Sequence, residues 1–290
     1  MLATLKEVLE KAEQGNYAVG AFNCTSLESG MAIVKTAEEL NSPVILQYAD
    51  SHRHLISIDV IGPIMLQLAK IAKVPVVVHL DHGASIESCR HAVDMGFTSV
   101  MYDASAKPFE DNVAETRSVV EYAHERGASV EAELGHILTS KAGAAEDNGK
   151  SYTREEAYTD PEMAKEFIER TNVDALAIGF GTAHGIYTEK PVLDLNRIAL
   201  IKSAKDIPYV MHGGSGLSEE EYRTAIHNGI RKINYYTYLS LAGGRGVMQY
   251  LEDKKDKDAI YFEDIAKAGI TAMKADVKRA MKIFESDGKI

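Results

Sequence analysis

The sequence is poor in the residues that mark several classes of protein. It has two cysteines in 290 residues, Cys24 and Cys89, which lie far apart and form no CxxC pair. This spacing indicates neither a disulfide framework nor a thiolate zinc site. With seven prolines, 26% charged residues and 45% hydrophobic residues, the chain does not have the composition of a disordered protein. We expect a globular protein in a reducing compartment.

Positive charge is also scarce. The 32 Lys and Arg residues stand against 43 Asp and Glu residues, for a formal charge of −11. This balance gives nucleic acid no general electrostatic footprint, although local backbone amides on an acidic protein can still bind a phosphate. Apolar runs are too short to span a membrane, and the N-terminal segment alternates Leu and Val with Lys and Glu, unlike a signal peptide. We therefore expect a cytoplasmic protein that binds neither nucleic acid nor membrane.

Short apolar segments alternate with amphipathic helical segments along the whole chain. Several, such as VPVVVHL and DALAIGF, are apolar on both faces, which is typical of strands in a parallel sheet covered by helices. A doubly wound open sheet is the alternative, but no GxGxxG follows the first strand. The pattern predicts an α/β protein with one domain over residues 1–290, a (β/α)8 TIM barrel with extra C-terminal helices after Thr237. The predicted strands are 17–23, 43–49, 75–81, 99–104, 129–134, 175–181, 209–214 and 232–237.

One predicted connection is too long for an ordinary loop. Residues 135–159 follow the fifth predicted strand and are rich in small and polar side chains. Barrel enzymes carry mobile lids at such positions. We expect a mobile active-site loop here, with a tolerated insertion as the alternative.

Three predicted strands are closed by histidines. His82 in HLDHG, His184 in GTAHG and His212 in HGGSG follow the third, sixth and seventh strands, each beside a glycine. Barrel chemistry takes place at the C-terminal ends of the strands. Three imidazoles that converge there from separate strands would form a zinc site with an open fourth position. Three unrelated structural histidines are the alternative.

Carboxylates accompany these histidines. Asp81 directly precedes His82, where a general acid/base beside a metal would lie. Asp103 and the pair Glu131 and Glu133 also lie at strand ends. Because metal-bound histidines usually donate their second nitrogen to a carboxylate, Glu133 is a candidate to orient a ligand. A buried ion pair or a helix cap is the alternative for each.

Two further polar segments indicate anion binding. The glycine-rich turn at Gly213 and Ser215 leads into a helix, and the eighth strand adds Asn234 and Thr237 beside it. Phosphate pockets of barrels commonly lie there. The loop DSHRH after the second strand carries Arg53, whose planar guanidinium suits a phosphate or carboxylate at the far end of a substrate. A solvated surface arginine is the alternative.

Together these motifs resemble those of the class II, zinc-dependent ketose-bisphosphate aldolases, which include fructose- and tagatose-1,6-bisphosphate aldolases. The resemblance spans nearly the whole chain and rests on GAFN, VPVVVHLDHG, VEAELG, GTAHG, MHGGSG and GIRKIN. It implies reversible aldol cleavage of a phosphorylated ketose to dihydroxyacetone phosphate and an aldehyde. It also implies Zn²⁺ and, beside the phosphate turn, a monovalent cation (Na⁺ or K⁺). We expect a homodimer or homotetramer.

The resemblance also implies a role for individual residues. His82, His184 and His212 would bind zinc, and Asp81 would exchange a proton with the C4 hydroxyl. Glu133 would support the metal site, and Glu146 in the long loop would transfer a proton at C3. The residues that would hold dihydroxyacetone phosphate or contact the substrate are Asn23, Gly185, Gly213, Ser215, Asn234 and Thr237.

Three positions depart from the family pattern. Ala49 stands where a serine is common, Tyr236 replaces the aspartate of the NxDT motif in fructose-bisphosphate aldolases, and the acidic pair of the long loop is delayed to Glu146 and Asp147. We therefore expect fructose 1,6-bisphosphate to be a poorer substrate than another ketose, with tagatose 1,6-bisphosphate the first to test. Another metal-dependent lyase or isomerase, or a non-catalytic phosphosugar-binding barrel, remains an alternative. A Schiff-base mechanism needs a strand-end lysine, and neither Lys107 nor Lys232 fits.

Overall fold

Eight parallel strands form a closed barrel in the computed structural model, which describes residues 1–139, 157–187, 189–255 and 259–290. Each strand pairs with the next, and the eighth pairs with the first, with Asn234 opposite Ala21. The predicted (β/α)8 barrel is confirmed. Its strands are β1 (Val19–Asn23), β2 (Val44–Ala49), β3 (Val76–Gly83), β4 (Ser99–Tyr102), β5 (Ser129–Leu134), β6 (Ala175–Ile178), β7 (Tyr209–Met211) and β8 (Ile230–Tyr235).

Four strands, β4, β6, β7 and β8, end earlier than the sequence predicts, and two of these ends have a backbone cause. The strand β6 stops at Ile178 and β7 stops at Met211. Gly181 has φ +109° and Gly213 has φ +62°, so the chain turns into the left-handed region just beyond each strand. Glycine adopts this region without steric cost. These turns lead into the segments that carry His184 and Ser215.

Ten helices surround the barrel within the described residues. Several begin with a serine whose hydroxyl caps the first turn, as Ser26, Ser85 and Ser218 do, and several end at an Asn or Gly with positive φ. The helices are α1 (Leu5–Gly15), α2 (Leu27–Leu40), α3 (Ile58–Ile71), α4 (Ile86–Met95), α5 (Phe109–His124), α6 (Pro161–Thr171), α7 (Leu195–Ala204), α8 (Glu219–Asn228), α9 (Thr237–Lys254) and α10 (Phe262–Ile283).

The N-terminal end of the barrel is closed by apolar packing. Helix α1 contributes Leu5, Val8 and Leu9 to one buried cluster with the inward-facing side chains of the strands. The short strand Leu2–Ala3 pairs with the start of β3. Since this end is filled with hydrophobic side chains, polar chemistry is left to the C-terminal ends of the strands.

The predicted C-terminal helices are α9 and α10, which pack against each other, and α10 also covers α2. Val277 and Met281 of α10 are fully buried. In the described part of the chain, none of the helices has the length and apolar character needed to cross a membrane.

The long connection predicted at 135–159 is anchored near both ends. His136 N donates to Ala157 O (3.0 Å), and the Thr159 hydroxyl accepts a hydrogen bond from Gly179 N (2.8 Å) and donates to Leu134 O. Residues 140–156, including Glu146, lie outside the described residues.

Candidate active site

A cavity of about 490 Å³ opens at the C-terminal end of the barrel. It gathers residues from all eight strands or the loops that follow them, and it contains most of the side chains expected from the sequence. His212 is fully buried, and its Nδ1 lies 2.9 Å from Nε2 of His82, which lines the cavity. The predicted residues that line the cavity are Asn23, Asp81, His82, Asp103, Glu133, His184, Gly185, Gly213, Ser215, Asn234 and Thr237.

The three strand-end histidines converge. Donor atoms of His82, His184 and His212 lie within 4.8 Å of one another. His82 Nε2 is 2.9 Å from His212 Nδ1, and the His184 ring centroid is 5.2 Å from that of His82. His82 has φ +46°, a left-handed conformation that is rare for a residue with a side chain. The backbone holds this conformation at the point where the imidazole turns into the cavity.

Two carboxylates orient these imidazoles from behind. Asp103 Oδ2 accepts from His82 Nδ1 (2.8 Å), and Glu131 Oε1 accepts from His212 Nε2 (2.8 Å). Each bond occupies one ring nitrogen and leaves the other, His82 Nε2 or His212 Nδ1, directed at the shared centre. Carboxylate–histidine pairs of this kind support metal ligands.

The donor set fits a zinc ion. Burial, together with the positive charge of His82, lowers the pKa of His184 to about 4, and burial lowers the pKa of His212 well below its usual range. Both rings are therefore neutral and have lone pairs. Burial opposes protonation of His82, but Asp81 and Asp103 outweigh it and raise its pKa to about 10. The carboxylates of Asp81 and Asp103 thus favour a positive charge where the three rings meet, and a bound metal ion would supply that charge.

Asp81 is held by three side-chain amides. Its carboxylate accepts from Asn234 Nδ2 at 2.9 Å, Gln47 Nε2 at 3.2 Å and Asn23 Nδ2 at 3.4 Å. Burial opposes its ionisation, but the positive charges of His82 and Lys232 outweigh this and lower the pKa of Asp81 to about 2. Asp81 is therefore an ionised, oriented proton acceptor in a buried position. Gln47 was not assigned a function from the sequence.

The sequence predicts Asp103 and Glu133 as the carboxylates that support the metal site, whereas the contacts to the rings are made by Asp103 and Glu131. Glu133 lies close by, since its carboxylate is within 4.8 Å of donor atoms of His82 and Asp103. Burial, followed by the charge of Asp103, raises the pKa of Glu133 well above its usual range. Glu131 and Glu133 lie two residues apart on β5 and face the same side, so alternation alone could not separate them.

The phosphate-type turn is tied to the segment that carries His184. Tyr187 Oη donates to Gly213 O (2.8 Å) and accepts from Ala183 N (2.9 Å). A Cβ on Gly213 would lie 2.4 Å from the Ala183 carbonyl oxygen. Only a residue without a side chain therefore allows the two segments to approach this closely. Tyr187 had no role in the sequence-based prediction.

The start of the helix that follows this turn does not line the cavity. Ser218 and Glu221 form a capping box there, which satisfies the N–H groups of these two residues. The cavity instead reaches the start of α9, where Thr237 is the first helical residue. The anion-binding groups available to the cavity are thus the 213–215 turn and the N-terminal end of α9.

The outer wall carries residues to which no function was assigned from the sequence. These residues are His52, His54 and His136, and they line the cavity together with Tyr236, for which the sequence predicts an effect on specificity; the ring centroids of His52 and Tyr236 are 4.7 Å apart. Arg53 is placed differently: its side chain is 65% exposed, pairs with Asp50 at 2.6 Å and does not contribute to the described cavity lining.

The closed (β/α)8 barrel brings three imidazoles, an ionised carboxylate and a phosphate-type turn together at one end. This arrangement defines a barrel enzyme of the aldolase type. Residues 3–289 match the class-II fructose-bisphosphate aldolase family, and the chain belongs to that family.

Similar proteins cover the whole chain. A fructose-bisphosphate aldolase of Geobacillus stearothermophilus is 41% identical over 99% of this chain and 98% of its own length. The crystal structure of the YdjI aldolase from Escherichia coli K12 is 35% identical and has a TM-score of 0.85, over 100% of this chain and 99% of that one. A fructose-bisphosphate aldolase structure from Campylobacter jejuni shares the fold at 23% identity, with a TM-score of 0.83 over 100% and 97%. The protein is a lyase of this family.

Proposed function

We propose that the protein catalyses reversible, zinc-dependent aldol cleavage of a phosphorylated ketose to dihydroxyacetone phosphate and an aldehyde. The observation that carries this proposal is the position of the ionised Asp81 carboxylate at the same end of the barrel as three histidine donors and the 213–215 turn. A proton acceptor, a cation site and an anion site within one cavity meet the requirements of aldol cleavage.

His82, His184 and His212 would hold the zinc ion, with Asp103 and Glu131 orienting two of the rings. When bound, zinc polarises the C2 carbonyl and stabilises the negative charge that develops as the C3–C4 bond breaks.

Asp81 accepts the proton of the C4 hydroxyl during cleavage and returns it during condensation. The amides of Asn23, Gln47 and Asn234 hold its oxygens in place and, as donors, favour its ionised form. We assign proton transfer at C3 to Glu146, which lies outside the described residues. Closure of the loop at 135–159 over the substrate remains part of the proposal.

The phosphate of the dihydroxyacetone half is held by backbone amides of Gly213 and Ser215, with Gly185, Asn234 and Thr237 around it. The partial positive charge at the start of α9 adds to this anion site. A Na⁺ or K⁺ ion beside the turn would complete this anion site.

The active protein is a homodimer or homotetramer, and light scattering on the metal-loaded enzyme measures which of the two it is.

The aldehyde half of the substrate would meet the wall that differs from the family pattern. Tyr236 and Ala49 line this part of the cavity, and Tyr236 contacts His52. We propose that the specificity differs from that of fructose-bisphosphate aldolases here, with tagatose 1,6-bisphosphate used better than fructose 1,6-bisphosphate. Arg53 would have to leave Asp50 to reach a distal anion, and Arg53→Ala tests that role.

The test is release of dihydroxyacetone phosphate from a panel of phosphorylated ketoses, with zinc-loaded wild type and Asp81→Asn as the matched control. We expect turnover of at least one ketose bisphosphate, loss of turnover on chelation and recovery on adding zinc. Turnover that survives a strong chelator would contradict the metal mechanism, and zinc-loaded enzyme without turnover of any ketose would favour a non-catalytic barrel. A higher kcat/KM for fructose 1,6-bisphosphate than for every other ketose would refute the proposed substrate preference but not the aldolase function.

A further inference from the structure

A charged pair is buried inside the barrel directly beneath the histidine cluster. Lys232 on β8 and Glu131 on β5 are both 0% exposed, and Lys232 Nζ lies 2.8 Å from Glu131 Oε2. Lys232 precedes Asn234 by two residues, so both side chains face the barrel interior and Lys232 lies one layer deeper. The ammonium is therefore too deep to reach a substrate bound in the cavity.

The pair is connected to one candidate metal ligand. The second oxygen of Glu131, Oε1, accepts from His212 Nε2 at 2.8 Å. The same carboxylate faces His79 Nε2 at 3.6 Å, and His79 Nδ1 is 2.8 Å from Ser99 Oγ. Glu131 thus has one oxygen toward the lysine and one toward the ligand. Movement of this carboxylate would move the imidazole of His212.

We propose that Lys232 is a positioning residue for the metal site: its ammonium holds Glu131 so that His212 keeps Nδ1 directed toward His82 Nε2. The inference rests on the proposed function, in which zinc binds His82, His184 and His212. Lys232 acts through Glu131 and touches neither substrate nor metal.

The energetics favour a specific role for this pair. A buried ion pair is expensive to desolvate and often gives no net stability relative to apolar residues of the same volume. Removing only the cation leaves a buried carboxylate without its partner, which is strongly unfavourable. Loss of a group that orients a metal ligand typically weakens metal binding by about 10–100-fold. Lys232→Met should therefore weaken zinc binding by about 10–100-fold.

The experiment measures the zinc dissociation constant of metal-free protein by competition with a chromophoric chelator, together with the rise in Tm on adding zinc. Lys202→Met is the matched control, because Lys202 on α7 pairs with Glu13 and Asp206 at 2.6 Å each and does not line the cavity. We expect zinc affinity to fall in Lys232→Met and to stay within about twofold of wild type in Lys202→Met. A purely structural role would lower the Tm of Lys232→Met but leave its zinc affinity at the wild-type value, and that result would overturn the proposal.

Glu131→Gln and the double variant Glu131→Gln/Lys232→Met complete the cycle and remain informative if Lys232→Met does not fold. We expect Glu131→Gln to weaken zinc binding, and the added Lys232→Met change to alter it by no more than about twofold further. Wild-type zinc affinity in Glu131→Gln, or additive losses in the double variant, would overturn the proposal. Absence of zinc binding by wild type would instead refute the proposed function.

Discussion

Asp81→Ala removes the carboxylate that we assign to proton transfer and leaves the three histidines unchanged. Asp81 is 4% exposed and accepts hydrogen bonds from Asn23, Gln47 and Asn234. Because the histidine donors do not depend on Asp81 for their orienting contacts, the variant should still bind about one zinc per chain. Asp81→Asn has nearly the same shape and tests the loss of the proton acceptor without creating a cavity.

The expected loss of kcat follows from the role of Asp81 as a general base. Loss of a general base typically lowers kcat by about 10²–10⁴-fold, which corresponds to about 2.7–5.5 kcal/mol in the activation barrier. The amides that lose their acceptor face a cavity that water can enter, so the cost in folding free energy should not exceed about 1–3 kcal/mol.

The assay is initial-rate release of dihydroxyacetone phosphate, with zinc content measured by elemental analysis on the same samples. We expect both Asp81 variants to retain the metal and lose most of kcat. A kcat within tenfold of wild type would refute the assignment of Asp81 as the general base. Loss of zinc from the folded variant would show that Asp81 belongs to the metal site instead.

Three further changes test the rest of the site. His212→Ala should abolish zinc binding and turnover together, as seen by elemental analysis, whereas retention of zinc would remove His212 from the donor set. Gly213→Ala should lower the free energy of unfolding in urea by at least about 1–2 kcal/mol, because the positive φ alone is unfavourable for alanine. The new Cβ would also meet the Ala183 carbonyl oxygen, so we expect a higher KM. Wild-type stability would contradict the close approach of the two segments. Tyr187→Phe should cost about 1–3 kcal/mol by leaving two partly buried backbone groups without their partner. The control Tyr158→Phe, which removes an exposed hydrogen bond to Val192 O, should cost no more than about 0.5 kcal/mol; equal losses would contradict the bridging role.

The barrel and the histidine cluster could be predicted because their signals are local. Strands apolar on both faces mark a parallel sheet covered by helices, and polar residues at the ends of such strands must meet at one end of a closed barrel. The sequence predicts a cluster of His82, His184 and His212 but leaves unrelated structural histidines as the alternative, and the convergence of their donor atoms decides between the two. Motif resemblance then supplied the roles of Asp81, Asn234 and the 213–215 turn.

The contacts between distant strands could not be predicted in this way. Glu131 and Glu133 have the same orientation on β5, and only the three-dimensional path of β5 and β7 decides which carboxylate meets His212. Lys232 had been placed at the start of the eighth strand, yet β8 begins at Ile230 and buries Lys232 against Glu131.

Loop conformation was equally hard to foresee. The polar DSHRH segment forms a single 3₁₀ turn that puts His52 and His54 at the cavity while Arg53 pairs with Asp50. Spacing does not reveal which side chain of such a turn points inward.

The central claim is metal-dependent aldol cleavage in this cavity, and the most direct measurement is the zinc dependence of dihydroxyacetone phosphate release from ketose bisphosphates. The account predicts turnover by protein with about one zinc per chain, no turnover after chelation, and recovery in proportion to zinc restored. Undiminished turnover by zinc-free protein would contradict it.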